Sequence, residues 1–285
     1  SGEVNPSGSV VDQWEKDFTA DPTWQNFGDN SQVGSTNLYK YADGSDAGAN
    51  SLSTTFPPMM PGFHGVDYEE SIYLGYRYYE SYYKELADSK GAKKANEWYE
   101  NAVNYPFGYG LSYTSFATNI KGLYTDDGLT QSLGEVVSGD VFASDKTKGK
   151  AQVDKLYLKV NVANTGKKAG KKSVQVYVTA PYTKGGIEKS FVTFVGFAKT
   201  SLLQPGESED VIVTFNVQDF ASYDATDKNA NGNKGYELDS GKYTIRVMNG
   251  AHFDLSTDIT DSADDYDEIG FTPVSYTHLR AHETG

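Results

Sequence analysis

Cysteine is absent from all 285 residues. Disulfides, thiolate nucleophiles and thiolate metal sites are excluded with it, while the compartment stays open because many exported proteins also lack the residue. Basic residues are scarce: 25 Lys and Arg face 39 Asp and Glu, a formal charge of −14. With a pI near 4.7, the clustered positive charge that phosphate-backbone binding depends on is lacking, so no nucleic-acid partner is expected. Nowhere do about eighteen apolar residues run together, and no membrane span is expected. The opening SGEVNPSGSV has neither a basic start nor an apolar h-region, and it lacks an initiator Met. Localisation and oligomeric state are left unassigned by these features.

Histidine is also rare, with only His64, His252, His278 and His282. The last two stand at an i, i+4 spacing that could suit a metal. They fall, however, in SYTHLRAHETG, Ser275 to Gly285, which breaks with the acidic, Asp-rich stretch before it and resembles a translated sequencing-library adaptor. Residues 275–285 are therefore set aside from fold reasoning, and both ends of the chain read as cut.

What is present changes character along the chain, whose length allows two ordinary domains. The first fifty residues are rich in Gly, Ser, Asn and Asp, with Trp14, Phe18 and Trp24 as scattered anchors, a texture of loops and short pieces. After the proline cluster FPPMMPGF comes DYEESIYLGYRYYESYYKELA. There Ile72, Tyr76, Tyr79 and Tyr83 recur at helical intervals, while Tyr73, Leu74 and Tyr78 support an extended run. The expectation is an extended start passing into a helix near Tyr79 to Leu86, then a charged helical excursion over Asp88 to Asn101.

Beyond Phe116 short strands alternate with turn signals. Leu156, Leu158, Val160 and Val162 alternate with Tyr157, Lys159 and Asn161; NTGKKAG supplies a turn; Val174, Val176 and Val178 alternate again, and the two runs read as a hairpin-like pair. Val211, Val213 and Phe215, then GYELDSGKYTIRVMNG, continue the rhythm to about Asp258. Period-two alternation gives each strand one apolar face, which must meet an opposing sheet, so an antiparallel sandwich of immunoglobulin or fibronectin type III character is expected.

Between these regions lies NYPFGYGLSYTSF, Asn104 to Phe116, with five aromatic rings, two glycines and one proline in thirteen positions. Gly108 and Gly110 permit positive φ or close backbone approach, and the rings either fill a joint or stack on a sugar. The seven tyrosines from Tyr68 to Tyr83 leave the same two readings open, with one or two of them available to face a cleft. DKNANGNKGYE, Asp227 to Glu237, places Asp227, Asn229, Asn231, Gly232 and Asn233 in a calcium-loop pattern. Its twelfth position is Leu238, with Glu237 one residue short of the closing ligand, so a polar strand-to-strand loop is the rival. The adjacent acids Glu69 and Glu70 read as a solvated or hydrogen-bonding pair rather than a catalytic one. The acidic run Asp258 to Glu268 reads as disordered.

In order, NPSG at Asn5 to Gly8, ESIYLGYRYYE at Glu70 to Glu80, YPFGYGLSY at Tyr105 to Tyr113, NTGKKAGKKSVQVYV, and GFAKTSLLQPGES resemble the C-terminal landmarks of family 3 glycoside hydrolases, the β-glucosidase group. Ser71 stands where that family usually has Gly, which makes an unusual backbone angle there less expected. Ser9-Val10 likewise replaces a pair such as Arg-Leu. The resemblance implies a mixed fold. Residues 1–111 would be the incomplete C-terminal part of an α/β sandwich domain and 112–260 a fibronectin type III-like β-sandwich, with an acidic tail over 261–274.

The resemblance also implies a parent enzyme that hydrolyses β-linked glucosides with retention. Such chemistry needs two carboxyl groups about 5 to 5.5 Å apart, one attacking the anomeric carbon and one protonating the leaving oxygen. In the family both precede the NPSG landmark, so no catalytic, cofactor or metal residue is carried over here. The carbohydrate partner would be bound through domains outside this sequence. The alternative is a free-standing carbohydrate-binding or cell-surface adhesion module built on an immunoglobulin-like sandwich.

Overall fold

The computed structural model describes residues 9–10, 12–17, 20, 27–28, 65–66, 71–137, 141–142, 153–232, 234–255, 266–273 and 277–279. The chain forms two compact units, one of Ser1–Trp14 with Gly75–Gly285, the other of Glu15–Leu74. In the second, Phe27–Gly28 pairs antiparallel with Gly65–Val66. There too Ser71 adopts φ of 53°, contrary to expectation. A short polar side chain tolerates the left-handed region at modest cost, so the glycine-type geometry persists without glycine.

The first unit opens with a helical hairpin. Helix α1, Tyr76–Lys90, begins three residues before the expected start because Gly75, at φ 55°, lets the chain turn directly into it. Its buried stripe of Tyr79, Tyr83 and Leu86 follows the 3.6-residue period, which settles the ambiguity between helical and extended readings. Gly91, at φ 89°, ends α1 and starts α2, Ala92–Ala102. Ala95, Tyr99 and Val103 close a small core against the α1 stripe, with Trp98 stacked on Tyr79 at 6.0 Å.

A β-sandwich follows. Its strands are β1 Phe116–Tyr124, β2 Val136–Val137, β3 Lys155–Asn164, β4 Ser173–Thr179, β5 Thr193–Lys199, β6 Ser208–Asn216, β7 Ser222–Asp224, β8 Gly235–Leu238, β9 Tyr243–Met248, β10 Tyr266–Pro273 and β11 Thr277–Leu279. One sheet has the order β6-β3-β1 and a second the order β2-β10-β9-β4-β5, with β7-β8-β11 as a small third. Every second residue of β3 from Leu156 onward is buried, and these side chains meet Val174, Val176, Val178, Ile245 and Phe271 from the second sheet. The boundary expected at residue 111 runs through this unit.

Two expectations need correction. β3 and β4 are not a hairpin: β3 pairs with β1 and β6, β4 with β5 and β9, and NTGKKAG carries the chain from one sheet to the other. Alternation specifies which face is apolar and says nothing about the neighbouring strand. The acidic run is not disordered throughout. Residues 256–265 lie outside the described residues, but β10 pairs along β9 from Tyr243↔Phe271 to Met248↔Tyr266. Asp267 accepts the Ile120 amide at the bulge of β1, and Glu268 pairs with Arg246 at 3.1 Å. Their charges are spent on a bulge and an arginine, which solvation alone would not offer. Residues 277–279, within the segment set aside, lie along β8.

The inward face of β3 should dominate stability. Leu158→Ala should cost about 3 kcal/mol and the outward Lys159→Ala under about 1 kcal/mol, read as midpoint shifts in urea unfolding.

Candidate functional site

Strand β4 is covered on both faces: Val174, Gln175, Val176, Tyr177 and Val178 are all buried. The valines face the sandwich core, while Gln175 and Tyr177 meet the aromatic segment that sequence reading left as either joint or sugar strip. Gln175 donates from Nε2 to the Gly108 carbonyl at 2.9 Å and to Ser9 Oγ at 3.2 Å, and the Tyr177 hydroxyl donates to Gln175 Oε1 at 2.6 Å. Gly108 has φ of 83°, and a β-carbon there would fall 2.2 Å from Gln175 Oε1. Only glycine satisfies both conditions. Phe107 stacks on Tyr76 of α1 at 4.7 Å and meets Phe194 of β5 edge-on at 5.4 Å. The segment is a joint, and its centre is sealed.

The helical hairpin is bolted to the sandwich by polar contacts at the start of β5 with the loop before it, and on the loop after β9. The Phe194 amide donates to Tyr76 Oη at 2.9 Å and the Phe191 amide to Ser81 Oγ at 2.9 Å. On the other loop the Leu255 amide donates to Tyr83 Oη at 2.9 Å, and Asn96 Nδ2 donates to Asp254 Oδ1 at 2.9 Å. Glu80, buried inside α1, accepts the Tyr99 hydroxyl at 2.5 Å and contacts His252 Nδ1 at 2.9 Å, while the Tyr99 ring stacks on His252 with centroids 3.6 Å apart. Sequence reading missed His252 and Glu80, because one histidine and one acid lying 172 residues apart leave no local pattern. Burial pushes the Tyr83 phenol up to about 12; the Asp254 and Glu80 charges add to this and the Leu255 amide opposes it. Burial, then Glu80, holds the Tyr99 phenol well above its ordinary range.

The tyrosines of 68–83 mostly serve the same packing. Tyr79 and Tyr83 are buried, Tyr76 bonds the sandwich, and Tyr78 and Tyr82 lie parallel at 6.0 Å beside Trp98. Tyr68, Glu69, Glu70, His64, and the side chains of His278 and His282 lie outside the described residues.

At the Asp227–Glu237 loop, the fully buried Glu237 carboxylate accepts the side-chain amides of Asn229 and Asn231, both at 2.7 Å. Asp227 Oδ1 accepts the backbone amides of Asn231 at 2.9 Å and Gly232 at 3.2 Å. The asparagines thus point donors at the acid where a calcium loop would point oxygens at a cation. No cluster of three or more His, Asp or Glu able to hold a metal occurs among the described residues. Buried Asp224 accepts the Thr226 amide at 3.0 Å. Desolvation works against its charge, yet backbone donors from Thr226, Asn229, Lys228 and Asp227 hold it below the usual carboxylate range. Asp224 and Glu237 both bond Asn229, so the two acids share one asparagine and hold the loop.

The comparisons agree with this architecture. A fibronectin type III-like domain model matches residues 172–251, the span of β4 to β9, ending one residue before His252. Over 221 residues the chain is 37% identical to Beta-glucosidase A of Butyrivibrio fibrisolvens, covering 74% of this chain and 22% of that protein. It is 32% identical over 192 residues to a β-glucosidase of Ruminococcus albus, covering 66% and 15%. A solved β-glucosidase from Paenibacillus barengoltzii superposes with a TM-score of 0.59 at 26% identity, over 99% of this chain and 22% of that one. A GH3 β-glucosidase of Bifidobacterium adolescentis, at 20% identity and a TM-score of 0.56, shares the fold. The chain spans about a fifth of the length of such relatives.

Gly108→Ala should destabilise by about 2–4 kcal/mol in urea unfolding, through the left-handed backbone and the clash with Gln175. Alkaline stability tests the tyrosines. A phenol whose folded pKa exceeds its unfolded value near 10 contributes stability that is complete below about pH 10 and lost as pH rises through 12. The melting temperature should fall across that window, and less steeply in Tyr83→Phe.

Proposed function

We propose that this chain, a C-terminal region of a family 3 glycoside hydrolase including its fibronectin type III-like domain, is the non-catalytic scaffold of a parent enzyme that hydrolyses β-linked glucosides with retention of configuration. The observation that carries the reading is the 37% identity to a protein named as a β-glucosidase, over a chain that also bears the family's landmarks in order. Residues 1–111 are the C-terminal part of the parent's α/β sandwich domain and 112–260 its fibronectin type III-like domain. Carbohydrate is engaged through the rest of the parent.

Geometry supports the scaffold role. Retaining hydrolysis needs two opposed carboxyls with a sugar between them. The buried acids described above instead serve as internal hydrogen-bond acceptors: Glu80 for Tyr99, Asp224 for backbone amides, Glu237 for two asparagines. Their oxygens hold α2 against α1 and the 224–237 loop in place.

Purified residues 1–274 should show no hydrolysis of aryl β-glucosides above the buffer rate, measured by release of 4-nitrophenol. Saturable turnover by this polypeptide alone would overturn the scaffold assignment.

A further inference from the structure

Among the described residues, one lysine–carboxylate pair is withdrawn from water. Lys189, on the connection from β4 to β5, and Asp239, directly after β8, have side chains 5% and 15% exposed, against 32% and 44% for Lys159 and Asp210. The Lys189 ammonium donates to the Pro181 carbonyl at 2.7 Å and to Asp239 Oδ2. Packing sets this meeting independently of charge. Gly241, at φ of 128°, lies so close to Pro181 that a β-carbon there would fall 2.8 Å from the proline Cβ. The Asp239 amide donates to the hydroxyl of buried Tyr243 at 2.9 Å. Amine and carboxyl are thus held together by the turns that carry them, and the entropy of bringing two reactants into contact is already spent by folding.

An ion pair is a costly end state at this place. Asp239 Oδ1 is buried and has no hydrogen-bond donor among the described residues, whereas Glu237 and Asp224 both gather amides. A dry site favours passing the proton from Nζ to the carboxylate, which leaves a neutral amine against a carboxylic acid. Burial pushes the Lys189 amine down to about 8, outweighing the opposing charge of Glu237. A neutral amine is a nucleophile, and the carboxyl it touches offers Cγ as the electrophile. We propose that Lys189 and Asp239 condense into an intramolecular isopeptide bond. Nζ bonds to Asp239 Cγ and one carboxyl C–O bond breaks. Of the three ammonium protons, two leave with that oxygen as water and one stays on the amide nitrogen. The remaining N–H keeps the Pro181 carbonyl as its acceptor, and no charge is left to bury. The bond ties the β4–β5 connection to the turn between β8 and β9, and by closing a loop it restricts the unfolded chain more than the folded one. Lys159 and Asp210, in contact with water, stay an ion pair.

The test takes the full 285-residue chain, folded as judged by a cooperative melt, measures its intact mass in denaturant and maps it with trypsin. The cross-link predicts the sequence mass less one water, no cleavage after Lys189, and one branched peptide joining the Lys189 segment to that of Asp239. Lys189→Arg and Asp239→Ala should each restore the full mass and the linear peptides. A folded chain that keeps its full sequence mass after prolonged incubation at about pH 8, and is cleaved after Lys189, would overturn the proposal and leave a buried ion pair. A water loss that persists in Lys189→Arg would overturn it too, since that is dehydration elsewhere, such as a succinimide at an aspartate. Should the isolated chain not fold, the same map is read on the chain grafted into Beta-glucosidase A in place of its matching region, with the same two outcomes deciding.

Discussion

Gly108 and Gln175 meet with no room between them. The carbonyl of Gly108 accepts the Gln175 amide, its backbone occupies a left-handed angle, and the space where a side chain would go is filled by Gln175 Oε1. That one contact fixes the segment Tyr105–Tyr113 on the outer face of β4, and the remaining contacts follow from where the segment is held. Phe107 reaches Tyr76 and Phe194, and the loop before β10 is brought within reach of α1 and α2. A strand buried on both faces is ordinarily a mark of parallel sheets wrapped by helices. Here an antiparallel strand is buried twice because a helical hairpin and an aromatic loop cover the side that would otherwise be wet.

Polar chemistry supplies the precision of the joint. Apolar contacts between the hairpin and the sandwich would allow sliding, since burial is non-directional. Hydrogen bonds from the amides of Phe191, Phe194 and Leu255 to side-chain oxygens on α1 do not. Glu80 is the most committed of these groups: a carboxylate inside a helix interface would carry a heavy desolvation penalty without the Tyr99 hydroxyl and His252 beside it. A histidine stacked on a tyrosine and touching a buried acid could be mistaken for catalytic machinery. Its neighbours are helix and loop, and what it links is structural.

Much of this was legible in the residues, and the exceptions share a cause. Alternation at Leu156 to Val162 and at Val174 to Val178 marked the strands because one side of each faces a common core, whatever their partners. The same alternation misled about pairing, which depends on residues far away in the chain. The glycine and aromatic cluster around Gly108 was recognisable as a joint by resemblance to family 3 glycoside hydrolases, but its docking partner, Gln175, looked like any polar residue on an outward face. His252 and Glu80 were silent for the same reason. Ser71 broke the glycine rule and kept the geometry, at a φ of 53° that a short polar side chain adopts at modest cost. The acids of β10 looked like solvated charge because neither the bulge at Ile120 nor Arg246 lies nearby in sequence.

Hairpin, aromatic segment and sandwich should open together. Native-state hydrogen exchange measures it directly, using the joint amides of Gly108, Phe194, Ala251 and Leu255 beside the core amides of β3 and β4. The joint amides should exchange only through the same large opening as the core, with matching free energies. Joint amides exchanging at the rate of a surface loop, while β3 and β4 remain protected, would contradict it.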